Sequence, residues 1–242
     1  MQLLEITLDT PAGNVALDEA LLDEAEQAGA EAECLRLWES PVPLVVVGRA
    51  SHVDREVNRA ACTQRLVPII RRTSGGASIV CAPGCLMYAL ILSYERRPAL
   101  RIIEKAHCFV LSTLREALSV LVPDISIAGT SDLAIGNETP LKFSGNSLRC
   151  KRSHMLYHGT LLYDCPLELI GSCLNMPPRQ PTYRGGRSHT DFLTNVPLTA
   201  DALRSAMIRA WRPTEVRSDW PMAITDELVT EKYSQPEWNY RL

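Results

Sequence analysis

The sequence predicts an α+β fold, a mainly antiparallel or mixed sheet packed against helices, and three observations predict it. Short runs of apolar residues bounded by turn residues recur between residues 34 and 163, which gives a strand-rich centre. Residues 14–27 and 100–121 instead repeat apolar side chains at three and four, the spacing of amphipathic helices. The turns Gly129-Thr130-Ser131 and Gly136-Asn137 suit antiparallel connection, and strands gathered in the centre with helices against them define the α+β class.

Taken in order, residues 14–27 set Val15, Leu17, Leu21 and Leu22 among Asp18, Glu19, Asp23, Glu24 and Glu26, a helix that Gly29 ends. Strands are expected at 34–38 and 44–47, and a short polar helix over 54–65 enters a strand at 67–72. The Gly75-Gly76 turn joins that strand to another at 77–80, followed by one at 87–93. The strongest helix covers 100–121 and Pro123 closes it. Its His107 and Cys108 read as packing residues. Strands at 125–127, 132–135, 141–148 and 155–163 complete the sheet, and helices near 167–174, 200–211 and 226–233 follow a Pro-rich stretch and a basic turn, Arg184-Gly185-Gly186-Arg187.

A chain of 242 residues, 46% of them hydrophobic, can bury a substantial core and is expected to form a single domain over 1–242. The net charge of −3 argues against nucleic acid as a partner. Its apolar runs are too short to span a bilayer, so no membrane partner is expected. The eight cysteines form no C-x-x-C pair and the N-terminus lacks signal architecture, which points to a reduced, cytoplasmic setting. Cys81 and Cys85, four apart with no nearby histidine, read as buried thiols and not as a zinc site.

Two segments carry the chemistry. In I-R-R-T-S-G-G-A-S (residues 70–78) an apolar strand delivers Arg71 and Arg72 onto the Ser74-Gly75-Gly76 turn. Paired glycines let backbone N–H groups approach a ligand, and arginines beside them donate to phosphate or carboxylate oxygens. The same residues also describe a hairpin turn with solvated arginines. In K-F-S-G-N-S (residues 142–147) Lys142 sits in a strand of small residues, Ser144 and Gly145 among them. Either a ligand approaches closely there, or Lys142 guards an edge strand.

With N-V-A-L-D-E-A-L-L (14–22), H-G-T-L-L (158–162), Y-R-G-G-R-S-H-T-D-F-L-T-N (183–195) and K-Y-S-Q-P-E-W-N (232–239), these motifs resemble, in order and spacing, the lipoate-protein ligase branch of the biotin/lipoate ligase and lipoyl/octanoyl transferase superfamily. The G-R-G-R-x-G-R pattern of biotin ligases is absent. The resemblance implies a class II synthetase/biotin ligase-like catalytic fold, in a short form without the accessory domain that many members carry. It implies ATP, as its Mg²⁺ complex, activating lipoate or octanoate to an acyl-adenylate for a lysine of a lipoyl-domain or carrier protein. A separate accessory subunit is a further possible partner.

By resemblance Lys142 is catalytic, contacting the acyl carbonyl and the α-phosphate. Arg71, Arg72, Ser74, Gly75, Gly76 and Ala77 form the loop of the acyl-adenylate pocket, which Ser144, Gly145, His158 and Gly159 also line. Ala77 stands where the family often has a third glycine, and Cys81-Ala82 where it has His-Asp. Asp132, in a segment similar to G-R-N-D-[IL] but with Thr130 and Ser131 ahead of it, is the Mg²⁺ ligand candidate, or else a turn residue. His158 has a core-histidine alternative. Arg184, Arg187 and His189 either grip phosphates or the acceptor, or form a solvated basic loop. Two other functions stay open: a transferase using Cys150 or Cys173 as thiolate, and a binding or catalytic subunit that needs a second chain.

Overall fold

The computed structural model describes residues 1–29 and 32–242. Strand β1 (Gln2–Glu5) leads into helix α1 (Pro11–Ala28), then β2 (Cys34–Glu39), β3 (Leu44–Val47), α2 (Val53–Glu56), α3 (Arg59–Gln64), β4 (Ile69–Arg71), β5 (Ile79–Cys81) and β6 (Cys85–Ser93). The second half runs through α4 (Ile103–Ser119), β7 (Ile125–Ala128), β8 (Asp132–Ile135), β9 (Leu141–Cys150), β10 (His154–Leu162), α5 (Leu167–Cys173) and α6 (His189–Phe192). It closes with α7 (Ala200–Trp211), β11 (Glu215–Arg217), α8 (Met222–Leu228) and α9 (Pro236–Asn239).

Eight strands form one mixed sheet in the order β11-β1-β2-β6-β10-β9-β8-β7; β1 runs parallel to both neighbours and every other pair is antiparallel. A smaller sheet has the order β4-β3-β5. The α+β class is therefore as expected, with a mixed sheet.

Period-two alternation sorts the central strands onto two faces. Leu35, Leu37, Leu86, Tyr88, Leu90, Leu92, Tyr157 and Phe143 pack against α4 and α7 in one core. On the other face Ala89, Ile91 and Leu156 meet Leu17, Leu21 and Leu22 of α1, while Trp38, Met87 and Leu162 join a core shared with the small sheet. Alternation breaks at a bulge on β9, where Leu133 pairs with Ser144 but Ala134 pairs with Lys142. Phe143 and Ser144 therefore share the α4 side with Leu133, and Lys142 joins the opposite face, the one that also carries His158 and Thr160 of β10.

Several boundaries differ from the expected ones. Helix α1 begins at Pro11, not 14: Thr10 caps it, its Oγ1 accepting from the Gly13 N–H at 3.1 Å, with Pro at the first position. The single helix expected over 54–65 is two, because Val57 is extended and bridges Leu174, and Asn58 then caps α3 by accepting from the Ala61 N–H. No hairpin spans Gly75-Gly76; β4 and β5 instead flank β3 on opposite sides. The helix expected over 100–121 splits into a 3-10 turn (Pro98–Arg101) and α4, and the one expected over 226–233 starts earlier, at Met222, and turns π-helical over Val229–Tyr233. Strands β1 and β11 went unanticipated. No helix among the described residues is long and apolar enough to cross a membrane.

Candidate active site

A cavity of about 420 Å³ opens on the α1 face between the two sheets, within the size range of small-molecule sites. One wall is apolar: Val15, Trp38, Val46, Val80, Met87, Leu162, Ile170 and Leu174 line it and belong to, or pack on, the core beneath the small sheet. Elsewhere the lining is polar, with Lys142, Ser144 and Asn146 of β9, Asp132 of β8, Thr130 and Ser131 of the turn before it, and Arg184 and His189 beyond.

Lys142 Nζ lies 2.8 Å from Asp132 Oδ1, and Asp132 Oδ2 accepts from Tyr183 OH at 2.9 Å. The space for that ammonium exists because residue 145 has no side chain: a Cβ there would stand 2.8 Å from Lys142 Cε and Nζ. Asn146 fills the notch left by Gly159. It accepts from Tyr88 OH and donates to the Ser131 carbonyl at 2.8 Å, fixing the β8–β9 connection.

Across the cavity the loop 72–78 is held from within. Arg72 is buried and donates to the carbonyls of Val46 (3.1 Å), Gly75 and Ala77 (3.0 Å) and to Ser74 Oγ (3.0 Å). Burial pushes its guanidinium down to about 10, which leaves it charged at neutrality. Gly76 takes φ of 83°, a conformation glycine adopts without strain. The N–H groups of Gly75, Gly76 and Ala77 have no acceptor among the described residues, and Gly76 and Ala77 line the cavity, which leaves two of these donors available to a ligand there.

A polar chain crosses the cavity wall behind this loop. Ser74 Oγ, already accepting from Arg72, is 2.6 Å from His158 Nε2; His158 Nδ1 is 3.0 Å from Asp18 Oδ2; Asp18 Oδ1 accepts from Arg36 at 2.7 Å. Arg72 donates to Ser74, and the ionised Asp18 can only accept, so the hydrogen of the His158–Asp18 bond sits on Nδ1. Burial alone would raise Asp18, but the hydrogen bond from His158 and the Arg36 charge outweigh it and hold the carboxyl below the ordinary carboxylate range.

Residues 10–210 match the sequence profile of the lipoyl protein ligase A/B catalytic domain. The chain belongs to that family. Among relatives it is 24% identical to lipoate–protein ligase 1 of Staphylococcus aureus over 213 residues, 82% of this chain and 61% of that protein. It is 22% identical to the lipoate-protein ligase LplJ of Bacillus subtilis, covering 82% of this chain and 62% of LplJ. The chain thus spans less than two thirds of either relative. Its fold is that of a bi-partite lipoate protein ligase from Thermoplasma acidophilum, whose structural analysis includes its E2 lipoyl domain: TM-score 0.85 at 20% identity, over 99% of this chain and 95% of that one. A lipoate-protein ligase A bound with ATP superposes with TM-score 0.79 at 21% identity, over 99% and 98%.

Against this family's site as expected from sequence, the cavity brings together Arg72, Gly76, Ala77, Asp132, Lys142, Ser144, Gly145, His158 and Gly159. Arg71 is a correction: its guanidinium is fully buried away from the cavity and donates only to backbone carbonyls. Ser74 sits behind the wall in the polar chain, and Gly75 is exposed with its carbonyl turned to Arg72 and Ser147. Of the basic loop, Arg184 and His189 line the cavity, whereas Arg187 donates to the carbonyls of Pro140, Tyr183 and Arg184. Cys173 is buried and Cys150 is exposed; neither lines the cavity.

Four wall or support residues, Asp18, Trp38, Glu56 and Tyr183, have no site role on sequence grounds. Glu56 accepts from both the N–H (2.7 Å) and the hydroxyl (2.9 Å) of Ser78, closing the loop from the α2 side. The available signal was Arg36: a charge flanked by apolar residues in C-L-R-L-W-E must be paired if that strand is buried, and Asp18 supplies the partner.

Proposed function

We propose that this chain activates lipoate or octanoate with MgATP to an acyl-adenylate and transfers the acyl group to a lysine of a lipoyl-domain protein. The observation that carries the reading is the Lys142–Asp132 pair in a cavity that the apolar cluster of Trp38, Val46, Val80 and Met87 also lines. An ionised carboxylate is a poor electrophile, so activation requires a leaving group. Attack of the carboxylate oxygen on the α-phosphorus forms the acyl–phosphate bond, breaks the bond to pyrophosphate and concentrates charge on the α-phosphoryl oxygens.

In this reading the Lys142 ammonium answers that charge, and later the charge on departing AMP when the acceptor amine attacks the acyl carbonyl. The N–H groups of Gly76 and Ala77 serve phosphate or carboxylate oxygens, and the apolar lining takes the aliphatic tail. Arg72 acts by shaping the turn. Asp132 is the carboxylate suited to the Mg²⁺ that arrives with ATP: each of its oxygens carries one protein contact and keeps a free lone pair, and Mg²⁺ on a nucleotide needs one or two carboxylates beside the phosphates. The ligases similar in fold, one bound with ATP and one with lipoic acid, support the substrates.

Among the described residues no cysteine lines the cavity, which favours the ATP-dependent reading over a cysteine transferase. The test is the mass of a lipoyl domain incubated with the purified chain, lipoate and MgATP, with a candidate second chain as a further arm because one relative of the same fold is bi-partite. An increase by one lipoyl group, dependent on ATP and retained in Cys150→Ala and Cys173→Ala, is expected. Modification from an acyl-carrier protein without ATP, abolished by either substitution, overturns the proposal.

A further inference from the structure

We infer that Arg71 is a positioning residue that couples the C-terminal segment to the acyl-binding loop, through the turn 48–51. This rests on reading the cavity as an acyl-adenylate site, since its kinetic consequence is defined for that reaction.

Arg71 ends β4, and its buried guanidinium faces away from the cavity. On one side it donates to the carbonyls of Trp238 (3.0 Å) and Asn239 (3.2 Å); on the other it donates to those of Gly48 (2.8 Å), Arg49 (3.2 Å) and Ser51 (2.8 Å). Only a planar guanidinium offers five donors in fixed relation, so these two remote segments are set at a defined distance from each other. The β4 edge reinforces the link: Asn239 Oδ1 accepts from the Arg71 N–H at 2.9 Å and the Trp238 indole donates to the Arg71 carbonyl at 2.7 Å.

The turn in its own right grips the loop. The Arg49 N–H donates to the Ser74 carbonyl at 2.8 Å and Ser51 Oγ to the Gly76 carbonyl at 3.1 Å. A Cβ on Gly48 would lie 1.9 Å from the Gly76 oxygen, so turn and loop meet backbone to backbone. A second tie runs in parallel: Thr73 donates to Glu19 at 3.0 Å, and Glu19 accepts from Lys232 and Tyr233 at 2.6 Å each. The residues ahead of α9 and α9 itself therefore both end on the loop 72–78, which supplies Gly76 and Ala77 to the cavity wall. No carboxylate pairs with Arg71 among the described residues, so its buried charge is compensated by backbone dipoles from the segments it joins.

The test combines acid-dependent pyrophosphate release with amide hydrogen exchange over residues 73–78, in wild type, Arg71→Lys, Ser51→Ala and the double variant. Lysine keeps the charge and loses the fork, and Ser51→Ala removes only the last hydrogen bond of the route. Each should raise KM for the acyl acid about tenfold, as expected for losing one to two kcal/mol of ordered contacts, with kcat within about threefold. Exchange over 73–78 should accelerate in both, and the double variant should be less than additive. Arg71→Met should be more severe than Arg71→Lys. Should Arg71→Lys not fold, Ser51→Ala and Trp238→Phe carry the same readouts. Unchanged KM and exchange, additive effects, or a fall in kcat with KM unchanged overturns the inference. If wild type releases no pyrophosphate with any acyl acid, the function proposed above fails, while the exchange arm still decides the coupling.

Discussion

Gly145 leaves open the volume that the Lys142 ammonium occupies: a Cβ on Gly145 would stand 2.8 Å from both Cε and Nζ of Lys142. The colliding atoms are the free end of a flexible side chain, so the fold can yield by moving the ammonium away from Asp132. Gly145→Ala should therefore keep a melting temperature close to wild type and lose activation about 100-fold, the scale of a displacement near 1 Å at a reacting centre. Calorimetry and pyrophosphate release on one preparation measure both. An active Gly145→Ala would detach the position of Lys142 from the chemistry.

Gly159 contrasts with it. A Cβ at 159 meets Asn146 Oδ1 at 1.8 Å and the Gly145 carbonyl oxygen at 2.9 Å, the second being backbone of the paired strand. Relief requires shifting β9 against β10 and breaking the Tyr88–Asn146 bond. Gly159→Ala should destabilise the protein by about 1–3 kcal/mol, the usual cost of overpacking, and urea unfolding reads this as a lower midpoint.

Two buried carboxylates predict acid sensitivity. Burial would raise both, yet His158 and Arg36 hold Asp18 below 3.8, and Lys232, Tyr233 and Thr73 hold Glu19 below 4.5. A carboxyl depressed on folding stabilises the native state above its unfolded pKa, and that contribution disappears as pH falls through the folded value. The urea midpoint should be insensitive to these groups from neutrality to about pH 5 and fall below about pH 4. Asp18→Asn should flatten part of that slope and cost about 3–5 kcal/mol at neutral pH, because Arg36 is left buried without its partner.

The apolar wall predicts a steep dependence on chain length. Each buried methylene contributes about 0.8 kcal/mol, so octanoate should bind roughly tenfold more tightly than hexanoate. Lipoate should bind at least as tightly as octanoate. Calorimetric titration of the three acids tests this, and a flat profile contradicts an acyl tail lying against Trp38, Val46 and Met87.

The site was legible in the sequence where chemistry is compressed into short motifs. Lys142, the Gly75-Gly76 turn and His158 lie in segments whose composition departs from ordinary strands, so their residues stand out one by one. Asp18 and Arg36 do not, because each looks routine in its own element and they meet only when α1 packs across β2. Arg71 was misread for the same reason. Adjacent residues at a strand end face opposite ways, so of the pair Arg71-Arg72 only one guanidinium can enter the loop, and periodicity alone does not say which.

The fold followed a similar rule. Helix α1 was recognised by its apolar stripe but begun late, although Thr10-Pro11 carries both the cap and the first-turn proline. The faces of β6 could not be read at all: Cys85 to Ser93 is buried on both sides, and a strand covered twice loses the alternation that would separate Tyr88 from Met87. Strand β1 is held by parallel pairing to β2 and β11, partners too distant in sequence for any local signal.

If the Lys142 ammonium stabilises the charge that develops on the α-phosphoryl oxygens, its removal must slow adenylate formation. Lipoate-dependent pyrophosphate release by Lys142→Ala, measured beside wild type at saturating MgATP and on protein verified as folded, tests it most directly. The expected loss of kcat is about 100- to 1,000-fold, the cost of removing one preorganised electrostatic contact. A folded Lys142→Ala that releases pyrophosphate at a rate near wild type would contradict it.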